Sequence, residues 1–192
     1  MGARIVLAAG LVCFLLVGCV ADDQETGSVT TLGDSLNVGI EPYLDEELGD
    51  WSIDHHNRSG RRTEEGLAEL RSLGRDDVGQ VLVVSLGTND FDGDPASFRR
   101  QVEKVVARAG PRRCVVWATI WLGGPHPFND VLRQAARLHS NLHLVDWAGL
   151  VEQDPALLVS DGVHGTPDGY ARRAEETARI ARDCLPPSEQ TT

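Results

Sequence analysis

The sequence has 192 residues, of which 41% are hydrophobic and 24% are charged, a composition that suits one globular domain with a sizeable core. Its formal net charge is −11 and its basic residues form no cluster beyond short pairs, so we expect no nucleic-acid partner. Twenty glycines and nine prolines indicate many short connections rather than a long helical bundle.

The amino terminus has the pattern of an export signal. A positive charge precedes the apolar run Ile5–Val17, which is too short to span a bilayer but typical of a signal-peptide core. The run leads into Leu-Val-Gly-Cys19 and then a polar stretch, which resembles a bacterial lipoprotein signal. The resemblance implies a signal peptide over 1–18, a lipid on the Cys19 thiol, a tether over 19–28, and an exported protein anchored to the extracytoplasmic face of the cell membrane. An ordinary cleaved signal with a chance cysteine is the alternative.

From Val29 onward, short β-rich runs alternate with amphipathic stretches, as in an α/β domain. There is no internal repeat, so the pattern predicts one domain over 29–185, followed by a tail over 186–192. The expected strands are Val29–Leu32, Trp51–His55, Gln80–Leu86, Arg113–Ile120 and Leu142–Asp146. The expected helices are Pro42–Leu48, Thr63–Leu73, Pro95–Ala109, Asn129–Ser140 and Pro167 to about Asp183.

Two of the expected strands contain nearly continuous apolar runs, 81–84 and 114–117, as strands covered on both faces do. Strands that alternate with helices predict a parallel sheet with right-handed crossovers. In such sheets the ligand site lies at the carboxyl ends of the strands. Functional residues should therefore follow the strands directly.

The first such block is Gly33-Asp34-Ser35, which follows the first strand and opens a helix. A serine at a strand-to-helix turn points its hydroxyl out of the sheet, and its backbone N–H lies at a helix N-terminus suited to an oxyanion. Asp and Ser are also ordinary helix-capping residues, so this block alone is a weak signal.

Two further blocks follow the second and third strands. Gly60 lies in the arginine-rich turn Asn57–Thr63, where it offers a backbone N–H with no side chain in the way, although a simple turn glycine is the alternative. Asn89 follows Gly87-Thr88, and its side-chain amide is a good oxyanion donor because it does not titrate. A polar loop that ends a strand explains Asn89 equally well.

The last block is Asp161-Gly162-Val163-His164, shortly before the final helix. A catalytic histidine needs an acceptor that fixes its second ring nitrogen, and an aspartate three residues upstream in one turn supplies that contact. On their own, a loop aspartate and histidine are more often solvated than catalytic.

Taken together, in this order, these blocks resemble the SGNH (GDSL-like) hydrolase family over essentially the whole domain. The resemblance implies that Ser35 is the nucleophile, that His164 is the general base and that Asp161 orients it. It also implies an oxyanion hole formed by the Ser35 N–H, the Gly60 N–H and the Asn89 side chain.

The resemblance implies a three-layer, flavodoxin-like α/β sandwich around a five-stranded parallel sheet. It implies a serine esterase that hydrolyses acyl esters, acetyl esters among them, with no cofactor and no metal. From the exported location we expect a small acyl ester on a cell-envelope glycan or lipid as substrate, and a monomer. An acyltransferase that uses the same residues and a non-catalytic envelope-binding lipoprotein are the rival functions.

Some residues near these blocks carry no assigned role. Gly165 stands where the family often has a proline after the histidine. Trp121 follows the fourth strand and either walls a substrate pocket or fills the core. Arg58, Arg61 and Arg62 flank Gly60; a solvated basic loop explains them better than contacts to an anionic or sugar-rich substrate.

Of the four cysteines, Cys114 and Cys184 lie in the expected domain. An exported protein meets an oxidising environment, which favours a disulfide. Cys114 begins the fourth strand and Cys184 ends an antiparallel helix, so both belong at the end of the sheet opposite the active site. Two separately buried thiols are the alternative.

Overall fold

The computed structural model describes Gly2 and residues 27–90, 93–124 and 126–185. Cys19, the remainder of the expected signal peptide and the tail over 186–192 lie outside the described residues. The first strand begins at Ser28, one residue before the expected start of the domain. Among the described residues, no helix has the length and apolar character needed to cross a membrane.

All five expected strands are present, each within two residues of its expected ends. The strands are β1 (Ser28–Gly33), β2 (Ser52–Asn57), β3 (Val81–Ser85), β4 (Cys114–Ala118) and β5 (Leu142–Val145). The helices are α1 (Ser35–Leu48), α2 (Thr63–Ser72), α3 (Pro95–Ala109), α4 (Phe128–Leu138), α5 (Trp147–Gln153) and α6 (Pro167–Cys184).

The strands form one parallel sheet in the order β2-β1-β3-β4-β5, which is the flavodoxin-like order. Helices α2, α3 and α4 bury their apolar faces against one side of this sheet. Helices α1, α5 and α6 cover the other side, where small residues of α6 such as Ala174 and Ala178 lie fully buried. The three-layer α/β sandwich predicted from the sequence is therefore confirmed.

The first helix differs from the expectation because it begins at Ser35 rather than at Pro42. Asp34 caps it, with Oδ1 accepting the backbone N–H of Leu36 at 3.0 Å. Pro42 lies inside the helix, where a proline usually disfavours continuation. The buried apolar residues that follow Ser35 at helical spacing, including Leu36 and Ile40, outweigh that penalty by packing on the core.

One helix was not expected at all. Helix α5 has only seven residues and follows β5 without a loop. Asp146 follows the strand directly and caps the helix, accepting from the Gly149 N–H at 3.4 Å and from the Thr119 hydroxyl at 3.2 Å. Trp147, the first residue of the helix, is fully buried.

The sheet register brings the expected functional blocks to one edge. Gly33 at the end of β1 pairs with Asn57 on one side and Ser85 on the other. The turn after β1 is fixed there by a hydrogen bond from the Asp34 N–H to the Ser85 carbonyl at 3.0 Å. The blocks at Ser35, Gly60 and Asn89 therefore emerge from adjacent strands at the same end of the sheet, as parallel topology requires.

Candidate active site

Ser35 is the first residue of α1 and is partly exposed. The first backbone N–H groups of a helix have no intrahelical acceptor, and the helix dipole makes this end positive. Gly33 permits the sharp turn that precedes it, because a β-carbon at this position would lie only 2.5 Å from Cβ of Asn37. The strand-to-helix turn thus presents a hydroxyl where negative charge is favoured.

A chain of two hydrogen bonds joins Ser35, His164 and Asp161. Ser35 Oγ lies 2.9 Å from His164 Nε2, and His164 Nδ1 lies 2.8 Å from Asp161 Oδ2. Because an ionised carboxylate only accepts, Nδ1 carries the proton and Nε2 is left to accept from the serine hydroxyl. This is the arrangement in which an imidazole acts as a general base.

Asp161 also builds the turn that carries the histidine. Its Oδ1 accepts the backbone N–H groups of Val163 at 2.8 Å and His164 at 2.9 Å. These two bonds, together with the bond to the imidazole, lower the pKa of Asp161 to about 2. The carboxylate therefore remains ionised at any pH where the imidazole is neutral.

Gly60 and Asn89 lie in the loops that follow β2 and β3, the two strands that flank β1. Asn89 Nδ2 donates to Asp34 Oδ2 at 3.2 Å and to the Arg61 carbonyl at 3.3 Å, so its amide nitrogen is fixed in orientation. Gly60 is the third residue of a turn closed by the Arg61 N–H on the Arg58 carbonyl at 3.1 Å. Its φ of 74° favours glycine, and a β-carbon here would meet open space.

Arg61 differs from the solvated basic loop expected from the sequence. Only 6% of its surface is exposed, and its guanidinium donates to the His56 carbonyl and lies 3.6 Å from Glu69. Burial lowers the pKa of Arg61. The buried side chain thus joins β2 to α2 and holds in place the backbone carbonyl of Arg61, which accepts from Asn89. Nothing in the sequence distinguishes it from Arg58, which is exposed and pairs with Glu65 at 2.8 Å.

Tyr170 is a site neighbour that the sequence did not indicate. Its ring packs against Gly165, where a β-carbon would lie 2.9 Å from Cδ1. The absence of a proline after His164 therefore fits the close approach of this ring. Tyr170 joins the turn that carries the histidine to the first turns of α6.

A polar cleft of about 200 Å³ opens beside Asn89, between α2, α3 and α4. Arg62 and Asp90 are among its walls, and Arg62 Nε donates to the Asn89 carbonyl at 3.2 Å.

Trp121 does not line this cleft. It is partly buried against the core on the side of the sheet that α6 covers. Its position favours the core interpretation over the pocket wall.

Cys114 and Cys184 are bonded to each other, with their Cα atoms 5.9 Å apart. His143 lies beside this disulfide. In the described part of the chain, these three residues form the group of potential metal ligands, with their ligand atoms all within 4.8 Å of one another. Since both sulfurs are joined in the disulfide, only the imidazole remains as a ligand.

Sequence comparison finds curated relatives of this chain. The chain is 27% identical over 150 residues to the putative peptidoglycan O-acetyltransferase YrhL of Bacillus subtilis (strain 168), covering 73% of this chain and 22% of that protein. It is 28% identical over 152 residues to the O-acetyltransferase OatA of Staphylococcus aureus (strain NCTC 8325 / PS 47), covering 74% of this chain and 23% of that one. The chain thus spans less than a quarter of the length of these curated relatives.

Among solved structures, the fold resembles that of the lipase/acylhydrolase from Enterococcus faecalis. The TM-score is 0.71 at 20% sequence identity, and the match covers 84% of this chain and 98% of the other. The model of the GDSL-like lipase/acylhydrolase family matches residues 26–172, a span that includes every block described above. The chain belongs to this family.

Proposed function

We propose that this protein is a serine esterase in which Ser35 attacks the ester carbonyl and His164 accepts the serine proton. The observation that carries the proposal is the continuous hydrogen-bond chain from Ser35 through His164 to Asp161. A serine hydroxyl is a poor nucleophile until an adjacent base takes its proton, and this chain supplies an oriented base.

The reaction proceeds through two acyl transfers. Attack by Ser35 Oγ forms a tetrahedral oxyanion, which the Ser35 N–H, the Gly60 N–H and the Asn89 amide stabilise. His164 then gives its proton to the departing alcohol, leaving an acyl group on Ser35. Water attacks this acyl-enzyme, His164 takes the water proton and returns it to Ser35, and the carboxylic acid is released.

Asn89 must exchange one of its present acceptors for the oxyanion in this mechanism. Its amide has two hydrogens, and the bonds to Asp34 and to the Arg61 carbonyl are both longer than 3 Å. The bond to Arg61 is the one to a neutral acceptor, so it is the weaker and the one that gives way. Asp34 then keeps the amide in place while the second hydrogen turns to the substrate.

We propose an acetyl ester on a cell-envelope glycan as the substrate. The names of the curated relatives, one of them a putative peptidoglycan O-acetyltransferase, support this class. The cleft beside Asn89 has polar residues in its walls, Arg62 and Asp90 among them, although Ser35 and His164 do not line it. Such walls suit the hydroxyl groups of a sugar better than an acyl chain. About half of the His164 and Asp161 side-chain surface is exposed, which suits a bulky polymer that approaches from outside.

Acyl transfer is the second candidate, and the relatives favour it because both are named as O-acetyltransferases. The two reactions share the acyl-enzyme and differ only in whether water or a sugar hydroxyl attacks it. A chain that spans under a quarter of those relatives need not share their whole reaction.

We also propose that the protein is exported and anchored through a lipid on Cys19. The sequence pattern before this cysteine supports the proposal. Cells fed radiolabelled palmitate should label the wild type but not Cys19→Ala. A wild type that takes up no label would remove the anchor and leave the esterase proposal untouched.

Turnover of p-nitrophenyl esters of graded chain length tests the reaction, followed by acetate release from O-acetylated peptidoglycan. We expect fastest turnover with the acetyl ester and loss of nearly all activity in Ser35→Ala. Ser72→Ala is the matched control, because this serine lies at the far end of α2 and donates only to the Glu69 carbonyl. A wild type that hydrolyses no ester but binds the polymer would support the non-catalytic alternative.

A further inference from the structure

A buried arginine lies behind the nucleophile, on the helix that follows the histidine turn. Arg173 of α6 is 1% exposed, and its Nη2 donates to the Ser85 hydroxyl at 2.7 Å. Its guanidinium carbon also lies 5.4 Å from the centre of the Trp147 ring. Among the described residues, its Nε and Nη1 have no hydrogen-bond acceptor. A cation this deeply buried is costly unless an anion compensates it.

The compensating anion is Asp34, which is fully buried. Its Oδ1 accepts from the Leu36 N–H at 3.0 Å and from the Ser85 hydroxyl at 3.3 Å, and its Oδ2 accepts from Asn89 at 3.2 Å. The Ser85 hydroxyl therefore accepts from Arg173 and donates to Asp34. Hydrogen bonds thus connect Arg173 on α6 to Ser85 on β3, Ser85 to Asp34, and Asp34 to the Asn89 amide.

The charge of Arg173 favours the ionised form of Asp34. Burial raises the pKa of Asp34, and the attraction to Arg173 opposes that rise. Burial also lowers the pKa of Arg173, to about 10, and the attraction to Asp34 opposes this fall. Tyr170 of α6 is the other ionisable group acting on Arg173, and burial raises its pKa, so it stays neutral in the working range. His164 is the ionisable group beyond Ser35.

Protonation of Asp34 would disturb the oxyanion hole. An ionised carboxylate accepts at both oxygens, whereas a neutral carboxyl turns one of them into a donor. Such a donor at Oδ2 would face the hydrogens of the Asn89 amide and turn it away from the substrate. The same carboxyl also caps the helix that starts with the nucleophile, so both parts of the site depend on one charge.

We propose that Arg173 is a positioning residue, which acts through Ser85 and Asp34 to hold the Asn89 amide toward the oxyanion. This inference rests on the proposed serine esterase reaction. It gives α6 a role in catalysis through a buried residue that does not contact Ser35 directly. Loss of the arginine should weaken stabilisation of the transition state and leave substrate binding unchanged.

The test compares Arg173→Met, Arg173→Lys and the matched control Arg172→Met in the full-length protein, with p-nitrophenyl acetate from pH 5 to 9. Arg172 is exposed and pairs with Glu175 and Glu176 on the surface, so its loss should change nothing. Arg173→Met should lower kcat at pH 6 by about 10- to 100-fold, since removing a whole oxyanion donor costs about 100-fold or more. KM should stay within about twofold, because the contact is made in the transition state.

The pH profile separates positioning from a merely structural role. With no arginine, Asp34 protonates more easily, so the acid limb of kcat should move to higher pH in Arg173→Met and return in Arg173→Lys. In Arg173→Met/Asp34→Asn the limb should return to the wild-type position even though the rate stays low, because residue 34 no longer titrates. Ser85→Ala, a smaller change, should lower kcat several-fold if Arg173→Met does not fold.

Three results would overturn the inference while the wild type remains active. They are an unchanged kcat in Arg173→Met, a uniform loss at every pH, and a shifted limb that persists in the double variant. An unchanged kcat in Ser85→Ala would overturn it equally, because the path of hydrogen bonds runs through that hydroxyl. An inactive wild type would instead refute the proposed esterase reaction itself.

Discussion

The ring of Tyr170 occupies the space that a side chain on Gly39 would need: a β-carbon there would lie 2.2 Å from Tyr170 Cζ. Gly39 lies on α1, one turn beyond Ser35, and Tyr170 lies in the first turn of α6, soon after His164. The ring also lies close to Gly165, so it packs against both helix α1 and the turn that carries His164. Two glycines therefore allow the close packing of this ring between α1 and the turn that precedes α6.

Gly39→Ala should destabilise the protein and slow it. The ring cannot move away freely because Gly165 confines it, so overpacking should cost about 1–3 kcal/mol of unfolding free energy. Urea denaturation measures that loss. In Gly39→Ala/Tyr170→Ala the clash is gone, and the combined loss should be smaller than the sum of the two single losses. Additive losses would show that the two residues do not compete for space.

Ser35→Ala and His164→Ala should each remove nearly all esterase activity while the melting temperature stays close to that of the wild type. Since the residues of such a site act as a unit, the double variant should be little slower than either single variant. Steady-state kinetics of the three variants, compared with the buffer rate, checks this. Independent, multiplying losses would contradict the shared role.

The rate should rise as the pH is raised from the acid side, because His164 works as a base only in its neutral form. Asp161 does not cause this change, since its pKa of about 2 keeps it ionised. A carboxylate whose pKa is lowered by folding favours the fold above its unfolded pKa, and that contribution disappears as pH falls toward 2. The loss of activity on acidification should therefore be reversible and should come before any change in circular dichroism. A rate independent of pH, with chemistry limiting, would contradict the assignment.

The disulfide between Cys114 and Cys184 should stabilise the protein without taking part in catalysis. The cysteines are 70 residues apart in sequence and join the start of β4 to the end of α6. The chain-entropy model gives about 4 kcal/mol for such a loop, so reduction should lower the melting temperature by about 10 °C. Turnover at room temperature should change little.

Cys114→Ala/Cys184→Ala is the control, because a reductant should not change its melting temperature. Peptide mapping without reduction, after free thiols are blocked, tests the bond itself. Alkylated Cys114 and Cys184 in native exported protein would mean that the bridge does not form there.

Much of the fold was predictable because the central strands β3 and β4 are apolar and alternate with amphipathic helices. The runs in β3 and β4 are buried at every position, so their sequence alone indicates a covered parallel sheet. The start of α1 was missed because Pro42 is a strong local signal for a helix start, and only tertiary packing overrides it. Helix α5 was missed because seven residues hold too little periodicity to recognise.

The positions of Ser35 and Asn89 at one edge of the sheet were predictable because each directly follows a strand, whereas His164 lies in the loop before α6 and follows no strand. The buried residues that support the site were not predictable from the sequence. Arg61 and Arg173 look like surface arginines in sequence, and only the structure shows that they lie in the interior beside the catalytic edge. The supporting roles of these two arginines depend on which helices and strands meet in the fold, and the local sequence around each arginine does not indicate this.

Trapping the acyl-enzyme tests the central claim most directly. The wild type is mixed with p-nitrophenyl acetate, quenched in acid within the first turnover, and analysed by intact mass and peptide mapping. We predict a burst of one p-nitrophenol per chain and a single acetyl group on Ser35, with neither in Ser35→Ala. An acetyl group on any other residue, or a burst that persists in Ser35→Ala, would contradict the account.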